Sequence, residues 1–250
     1  MTTGVLYIVS TPIGNLEDIT LRALRVLKEV DLIACEDTRL TANLLNHYSI
    51  KKPLISYFEP AWRSGRYDKD KQGKILVDKL LAGSSIALVS NAGTPLISDP
   101  GYELVNLCVG HNIPVRVIPG ASAAVSALAL SGLPTDKFIF EGFLPKKPSK
   151  RRKRLQEIAS ETRTIVIYES PYRILKTLAE VNNIFGERRI VLAREMTKFY
   201  EEIIRGSIEE VVKSTGAKNP PNRTSSRAGI KGEITLVIQG KGAEAPGTAD

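Results

Sequence analysis

Short apolar runs alternate with segments of helical hydrophobic spacing along almost the whole chain, and this alternation constrains the fold more than any other feature. Val5–Val9, Asp31–Cys35 and Ile86–Val89 have the length and apolar content of buried strands. Between the first two, segment 19–30 repeats its apolar residues about every three positions, as an amphipathic helix does. Strands that alternate with helices in this way pair in parallel, and helices cover both faces of the sheet. The sequence therefore predicts an α/β fold.

The alternation continues beyond residue 118, so we expect two α/β domains followed by a tail. The first domain is predicted over residues 1–118 and the second over residues 119–240, with a disordered tail over residues 241–250. Residues 216–232 combine proline, asparagine and serine, which favours a flexible loop. The complete set of predicted strands is Val5–Val9, Asp31–Cys35, Pro53–Tyr57, Ile86–Val89, Val115–Ile118, Phe138–Phe140, Thr164–Tyr168, Ile190–Ala193 and Ile234–Ile238.

Composition narrows the class of protein. A hydrophobic fraction of 42% and a charged fraction of 25% are typical of a globular protein. No apolar run approaches the roughly 20 residues that a membrane helix needs, so no membrane partner is expected. The two cysteines, Cys35 and Cys108, lie far apart in apolar runs, which predicts free buried thiols in a reducing compartment. The cytoplasm is the expected location, and an organelle stroma is the alternative if a transit peptide has been removed.

The net charge of +8 is concentrated in one segment and indicates an anionic partner. Residues 146–154 hold seven cations in nine positions. A solvated, mobile helix start and a sorting signal are two interpretations, and a phosphate-binding patch for nucleic acid is the third. The candidate RNA-binding residues are Lys146, Lys147, Lys150, Arg151, Arg152, Lys153 and Arg154.

Two turns rich in small residues follow predicted strands and form the candidate ligand site. Ser90–Pro95, which continues to Asp99–Gly101, follows the strand Ile86–Val89, and Pro119–Ala123 follows the strand Val115–Ile118. Ligands of open α/β sheets bind at the carboxyl ends of the strands. Small residues there let the backbone approach a ligand closely, so we expect a bound small molecule at these turns.

Several catalytic classes lack their motifs in this chain. The sequence contains neither of the glycine-rich phosphate loops nor the G-x-S-x-G element of serine hydrolases. The two histidines, His47 and His111, do not stand at metal-ligand spacing, so no metal is expected. After the first strand, the proline in Thr11–Leu16 makes this turn a poor anion nest and a better apolar wall.

Acidic side chains and arginines follow three predicted strands. They occur in Glu36–Arg39, Glu169–Arg173 and Arg194–Lys198. Helix capping is one interpretation, since aspartate, threonine and serine satisfy the first N–H groups of a helix. The accompanying arginines favour the other interpretation, in which these groups bind a charged substrate and place a base near it.

Eight motifs, taken in order, resemble those of the tetrapyrrole methylase superfamily over residues 4–239, nearly the whole chain. Within it, the chain is similar to the branch that methylates the 2′-hydroxyl of a cytidine in small-subunit ribosomal RNA. The motifs are Thr11–Leu16, Glu36–Arg39, Ala92–Pro95 with Asp99–Gly101, Pro119–Ala123, Gly142–Pro145, Tyr168–Pro171, Ala193–Lys198 and Lys231–Glu233.

The resemblance implies S-adenosylmethionine in a cleft between two α/β domains, the second with a mixed sheet, in a homodimer. It implies as substrate the small-subunit ribosomal RNA or the assembled small subunit. The cofactor is a small cation with an adenine, so it needs backbone contacts and apolar walls rather than a phosphate nest. The positions that match the family's cofactor contacts are Pro12, Ala92, Gly93, Thr94, Ile97, Ser122, Ala123, Tyr168, Glu169 and Met196.

Methyl transfer to a ribose hydroxyl needs a group that removes the hydroxyl proton, because the cofactor already carries the activated methyl group. On motif position and residue type, Asp37 or Glu195 is the candidate base. Arg39 and Lys198 are the candidate groups that orient the substrate or stabilise the developing alkoxide. The resemblance also favours RNA as the partner of the basic segment, residues 146–154.

The chain departs from the family pattern at four places. Asn91 stands where the family usually has aspartate, and Tyr172 stands where histidine is common. Phe58–Trp62 replaces a motif that contains histidine and asparagine, and the C-terminal helical extension is missing. Two alternatives therefore stay open beside RNA methylation. One is a tetrapyrrole C-methyltransferase, and the other is a catalytically silent RNA-binding or ribosome-assembly module that keeps the fold.

Overall fold

A computed structural model describes residues 3–58, 71–217 and 230–243. The chain divides into two compact units, Met1–Ser122 and Ala123–Asp250, and this division falls four residues after the boundary predicted from the sequence. Three sequence predictions lie outside the described residues in whole or in large part: segment 59–62 of the departure that begins at Phe58, the loop over residues 218–229, and the tail over residues 244–250.

The first unit is a parallel five-stranded sheet with helices on both faces, as predicted. Its strands are β1 (Leu6–Val9), β2 (Leu32–Cys35), β3 (Leu54–Ser56), β4 (Ile86–Val89) and β5 (Val115–Ile118). Its helices are α1 (Leu21–Glu29), α2 (Thr38–His47), α3 (Lys71–Leu81) and α4 (Tyr102–Gly110). The strand order is β3-β2-β4-β1-β5, and every neighbouring pair is parallel.

The helices of the first unit divide between the two faces of the sheet. On β4, Ala87 and Val89 pack in one apolar cluster with residues of α1 and α2. Ile86 and Leu88 point the other way and pack with residues of α3 and α4. The loop after β2 therefore leads to one face, and the loop after its neighbour β4 leads to the other. Such a switch opens a crevice at the carboxyl ends of the strands, where ligands bind in this class of sheet.

The second unit contains a mixed five-stranded sheet, which confirms the predicted fold class. Its elements are α5 (Ala123–Ser131), β6 (Phe138–Phe143), α6 (Pro148–Ile158), β7 (Thr164–Glu169), α7 (Ile174–Phe185), β8 (Arg189–Arg194), β9 (Glu202–Ser207), α8 (Ile208–Ala217) and β10 (Ile234–Ile238). The strand order is β6-β7-β10-β8-β9, with β6 and β7 parallel and the other pairs antiparallel. Residues of α6, α7 and α8 share one apolar core with one face of this sheet, and α5 packs against β7 and β10.

The sequence analysis predicted neither the strand β9 nor the helix α8. Its statement that the set of strands was complete is therefore wrong. The strand β9 pairs with β8 from Arg189↔Ser207 to Arg194↔Glu202 at the edge of the sheet. It has no long apolar run, because an edge strand is only half-buried. The helix α8 carried a readable signal: Glu210 N donates to Ser207 Oγ, and Ser207 N donates to Glu210 Oε2. This reciprocal pair is a capping box.

Both cysteines are buried and free, as predicted. Burial raises the pKa of the Cys108 thiol to about 11. Through residues 3–58, 71–217 and 230–243, no helix combines the length and the apolar character that a membrane crossing requires.

Candidate active site

Three loops meet at the carboxyl edge of the first sheet. The loops after β1 and β4 form a two-bond bridge, in which Thr11 N donates to Gly93 O at 2.9 Å and Gly93 N donates to Thr11 O at 3.1 Å. The Thr94 hydroxyl donates to Ala121 O at 3.1 Å and lies 3.0 Å from Ser10 Oγ. Thr94 therefore ties the turn after β4 to the turn after β5, directly before Ser122, and brings the predicted cofactor positions of this unit together.

The Thr94 hydroxyl already bonds two groups of the protein, so the side chain stabilises the conformation of the turn. Pro12 is buried beside the bridge, and the apolar side chain of Ile97 is exposed. Gly93 has φ +76°, and a Cβ there would lie 3.3 Å from Ile13 Cγ2. The surface of the turn is therefore backbone and apolar, which fits an adenosyl sulfonium better than a phosphate.

The loop after β4 also holds two side chains in a costly backbone conformation. Leu96 has φ 73° and Ser98 has φ 68°, in the left-handed region that favours glycine. Residues held in such regions cluster at functional sites. These conformations are consistent with the candidate role that the motif assigns to this loop.

Asp37 caps helix α2, which is one of the two interpretations that the sequence allowed. Its Oδ1 accepts from Arg39 N at 2.9 Å and Leu40 N at 3.5 Å, and its Oδ2 lies 3.0 Å from Arg39 Nη2. The hydrogen bonds from the Arg39 side chain and backbone lower the pKa of the Asp37 carboxyl. The preceding acid, Glu36, has a different environment, since its Oε2 accepts from Asn91 Nδ2 at 2.9 Å.

In the second unit, one end of the sheet collects the remaining candidate residues. The registers place the last residues of β6, β7 and β8 beside the first residues of β9 and β10, through the pairs Phe143↔Tyr168, Ile234↔Glu169 and Arg194↔Glu202. The motif Ala193–Lys198 and the motif Lys231–Glu233, which are distant in sequence, therefore meet at this end.

Lys198 joins these two motifs through a pair of carboxylates. Its Nζ lies 2.8 Å from Glu195 Oε1 and 3.0 Å from Glu233 Oε2. Glu195 N donates to Glu233 O at 3.0 Å, and Glu233 N donates to Glu195 Oε1 at 2.9 Å. Gly232 has φ +96°, and a Cβ there would overlap the Glu195 side chain. The sequence analysis placed Glu233 in a family motif but did not name it as a site residue, because only the fold brings its carboxylate to Lys198.

The electrostatics of this cluster keep Lys198 charged. Burial acts to lower the pKa of Lys198, but hydrogen bonds to Glu195 and Glu233 outweigh it and raise that pKa above its usual value. Burial acts to raise the pKa of Glu195, but the hydrogen bonds from Lys198 and the Glu233 backbone outweigh it and lower that pKa. Lys198 therefore acts as a fixed cation, and Glu195 is a weak proton acceptor.

Of three predicted cofactor residues in the second unit, two are buried and the third is half-buried. The Glu169 carboxylate is fully buried, where Arg173 Nη2 lies 2.6 Å from Oε1 and the Thr177 hydroxyl donates to Oε2 at 2.6 Å. Met196 is buried, and the Tyr168 hydroxyl accepts from Ala124 N at 3.1 Å. Glu169 thus positions Arg173, and any ligand contact of Glu169 through its carboxylate would require these bonds to break.

The basic segment 146–154 divides into two sets of side chains. Arg151 is buried against Glu180, with bonds of 2.6 and 3.0 Å, and Arg154 bonds Glu141 at 2.8 and 2.7 Å. Arg151 therefore does not lie on the exposed face, where its charge was predicted to meet RNA. Arg152 is exposed and lies 3.4 Å from Glu180 Oε1. The side chains that extend into solvent without an ion pair within the described ranges are Lys146, Lys147, Lys150 and Lys153.

Exposed aromatic rings lie at the same end of the second sheet, and the sequence analysis assigned no role to them. Phe199 and Tyr200 follow β8, are strongly exposed, and contact each other edge to face at 4.9 Å between ring centroids. Tyr172, which follows β7, is exposed as well. Two adjacent aromatic residues after a charged motif are the signal that could have identified them. No cluster of three or more His, Cys, Asp or Glu side chains suited to a metal occurs within the part of the chain that the structure describes.

Comparison with known proteins identifies similar sequences and similar folds. The family model described as Tetrapyrrole (Corrin/Porphyrin) Methylases matches residues 5–212. A protein named Ribosomal RNA small subunit methyltransferase I from Halalkalibacterium halodurans is 49% identical over 239 residues, which cover 96% of this chain and 77% of that protein. The protein of the same name from Thermotoga maritima is 48% identical over 238 residues, 95% of this chain and 99% of that protein.

Solved structures with a similar fold are more distant in sequence. Uroporphyrin-III-C-methyltransferase from Thermus thermophilus has a TM-score of 0.61 at 20% identity, covering 94% of each chain. A structure of that enzyme in complex with S-adenyl homocysteine has a TM-score of 0.58 at 19% identity, covering 94% of this chain and 97% of that chain. A cobalt precorrin-4 methyltransferase has a TM-score of 0.63 at 16% identity, covering 94% of each chain.

Proposed function

Because this chain belongs to the tetrapyrrole methylase family, we propose that it is an S-adenosylmethionine-dependent methyltransferase of small-subunit ribosomal RNA that modifies the 2′-hydroxyl of a cytidine. The observation that carries this proposal is the identity of 48–49% with proteins named for that RNA, over about nineteen-twentieths of the chain. The tetrapyrrole methyltransferases share the fold at only 16–20% identity. This difference favours RNA over a tetrapyrrole as the substrate.

The turn after β4 supports cofactor binding by the first unit. Gly93 and Thr94 fix the backbone of this turn against the loops after β1 and β5, and the exposed side chain of Ile97 adds apolar surface. When bound, S-adenosylmethionine supplies an activated methyl group. The protein then has to hold the RNA hydroxyl in line with that methyl group and remove the hydroxyl proton.

Lys198 supports the binding of an anionic substrate in this proposal. Two carboxylates hold its ammonium group in place and keep it charged, while the side chain remains partly exposed. A fixed cation of this kind stabilises an RNA phosphate or a developing alkoxide without reorganising. Arg39 is exposed and already bonds Asp37, so it orients substrate only as part of that pair. Asp37 and Glu195 both have lowered pKa values, which favours positioning roles for them over proton removal.

The lysines of the basic segment support RNA binding through the phosphate backbone. Lys147, Lys150 and Lys153 recur at intervals of three residues, so they rise over about 9 Å along one side of the start of α6. Lysine is a point charge and lacks the planar fork with which arginine reads a base. We therefore expect this surface to position RNA with little sequence preference. A homodimer remains a prediction of the family resemblance, and a cytoplasmic location remains a prediction from the two free cysteines.

A labelled-methyl transfer assay tests the proposal. Purified protein is incubated with labelled S-adenosylmethionine and either small-subunit particles, naked small-subunit RNA or uroporphyrinogen, and the modified nucleotide is mapped. We expect transfer to a ribose oxygen of RNA, with Lys198→Met reducing it strongly and Lys241→Met, an exposed control, leaving it unchanged. Transfer to the tetrapyrrole would overturn the choice of substrate. Cofactor binding without any transfer would support the silent RNA-binding module.

A further inference from the structure

A side-chain hydrogen bond crosses the crevice of the first unit. Glu36 follows the last residue of β2, and Asn91 lies two residues after the end of β4. The two strands are neighbours with Cys35 opposite Val89, and Asn91 Nδ2 donates to Glu36 Oε2 at 2.9 Å. Since α2 and α4 lie on opposite faces of the sheet, the bond spans the point where the connections diverge. Ligands bind at such points in open α/β sheets.

The two carboxylate oxygens of Glu36 differ in their hydrogen bonding. Within the described ranges no donor bonds its Oε1, whereas its Oε2 is held by Asn91. The adjacent acid Asp37 has both oxygens bonded by Arg39 and the start of α2. Of the two neighbouring carboxylates, Glu36 is therefore the one that is oriented and still open on one side.

The same loop connects this carboxylate to the proposed cofactor turn. Asn91 directly precedes Ala92, Gly93 and Thr94, so one short segment both holds Glu36 and forms that turn. The loop continues into the left-handed residues Leu96 and Ser98. The carboxylate of Glu36 is therefore hydrogen-bonded to the residue that directly precedes the segment that would present the methyl donor.

We propose that Glu36 is the general base that removes the hydroxyl proton during methyl transfer, and that Asn91 is its positioning residue. This proposal rests on the proposed function. Glu36 Oε1 takes the proton of the ribose 2′-hydroxyl while the 2′-oxygen forms its bond to the methyl carbon. The sulfur–carbon bond of the donor breaks, its electron pair stays on sulfur, and the neutral Glu36 carboxyl returns its proton to water.

The identity of residue 91 matters to this arrangement. An amide N–H donates a hydrogen bond to a carboxylate oxygen, so Asn91 orients the Glu36 side chain and leaves Oε1 as the acceptor. An aspartate at this distance would place two carboxylates side by side, and they would share one proton. Asn91, a departure from the family pattern, therefore has a defined role in this chain.

The first test is a set of single variants assayed with small-subunit particles. Glu36→Gln keeps the shape and the acceptor for Asn91 but removes the base, so kcat should fall by about 10²–10⁴-fold. The KM for RNA and the calorimetric Kd for S-adenosylmethionine should stay within about twofold, because no binding contact is lost. Glu29→Gln, on the exposed face of α1, is the matched control and should match the wild type.

Two further measurements separate a base from a structural bridge. Turnover of Glu36→Ala should recover in part with added formate, which replaces a missing carboxylate but does not restore a fold. Asn91→Ala should lower kcat in the wild type and have no added effect in Glu36→Gln, since a positioning residue acts only through its partner. NMR of carboxyl-labelled glutamate should show the Glu36 resonance move in Asn91→Ala.

Each outcome has one meaning. Wild-type protein that does not methylate RNA overturns the proposed function. Wild-type protein that methylates RNA while Glu36→Gln keeps its kcat overturns the role of Glu36 and leaves the proposed function intact. A Glu36→Ala variant that is folded by thermal melting, inactive, and insensitive to formate assigns Glu36 a structural role and overturns the proposal as well.

Discussion

Removing Glu180 should destabilise the second unit, because it leaves the Arg151 charge buried without its partner. Arg151 Nε and Nη2 bond the two oxygens of Glu180 at 2.6 and 3.0 Å. The Arg151 side chain is 4% exposed and that of Glu180 is 17% exposed. The pair is therefore shielded from water, and its geometry is bidentate.

The magnitude follows from this burial. Removing one member of a buried ion pair costs about 3–5 kcal/mol. Since Glu180 keeps some contact with water, Glu180→Ala should lower the free energy of unfolding by about 3 kcal/mol, at the lower end of that range. For a unit that spans Ala123–Asp250, each kcal/mol corresponds to about 3–5 °C in Tm, so Tm should fall by about 10 °C.

The assay measures both stability and RNA affinity in variants of the buried arginine and of a neighbouring exposed lysine. Lys150→Ala, one residue before Arg151 on the same helix, removes an exposed lysine and should change stability by less than about 0.5 kcal/mol. It should weaken RNA binding and flatten its salt dependence. Arg151→Ala, measured well below its Tm, should leave RNA affinity unchanged. Calorimetric unfolding and RNA titrations at several salt concentrations give both quantities.

Two results would refute this reasoning. Equal stability losses in Glu180→Ala and Lys150→Ala would mean that the buried pair contributes no more than a surface charge. Loss of RNA affinity in Arg151→Ala equal to that in Lys150→Ala would mean that Arg151 reaches the RNA despite its ion pair.

Three further predictions concern the two sites. Gly93→Ala should weaken calorimetric binding of S-adenosylmethionine about tenfold or more, because the residue has φ +76° and its Cβ would press on Ile13. Gly232→Ala should displace Glu195 and lower kcat of RNA methylation, while the Kd for the cofactor in the first unit stays unchanged. Glu195→Gln should lower stability at pH 7, and the difference should vanish in acid. The reason is that the lowered pKa of Glu195 contributes stability above its unfolded value of about 4.3, and this contribution is lost as the pH falls through the folded pKa. Urea unfolding of Glu195→Gln and the wild type from pH 7 to pH 3 measures this, and a constant difference would contradict it.

Most of the fold could be predicted from local spacing. The strands at Ile86–Val89 and Ile234–Ile238, which are buried throughout, have the bounds that the apolar runs indicate. A buried strand must be apolar along its length, so its sequence carries the signal. The edge strand β9 carried no such signal, because its pairing with β8 stabilises it and one side faces solvent.

The candidate site was predicted less completely, because residue type and motif position do not show how a side chain is bonded. Asp37 has the sequence context of a base but caps α2. Glu169 has the context of a cofactor ligand but holds Arg173 inside the second unit. The sequence identified candidate segments at the strand ends, and the hydrogen bonds divided their residues into those held by other protein groups, such as Glu169, and those left open on one side, such as Glu36.

The sequence by itself determined the α/β class, the order of the main elements and the small-residue turns at the strand ends, because each depends on spacing within about ten neighbouring residues. Only the tertiary structure decided which charges are available. Arg151 and Lys150 are adjacent basic residues, yet of the two only Arg151 is neutralised by Glu180, which lies 29 residues away in sequence. Likewise Asn91, 55 residues from Glu36, singles out that carboxylate. Such pairings are set by contacts between distant segments, and their energies depend on burial that local sequence does not encode.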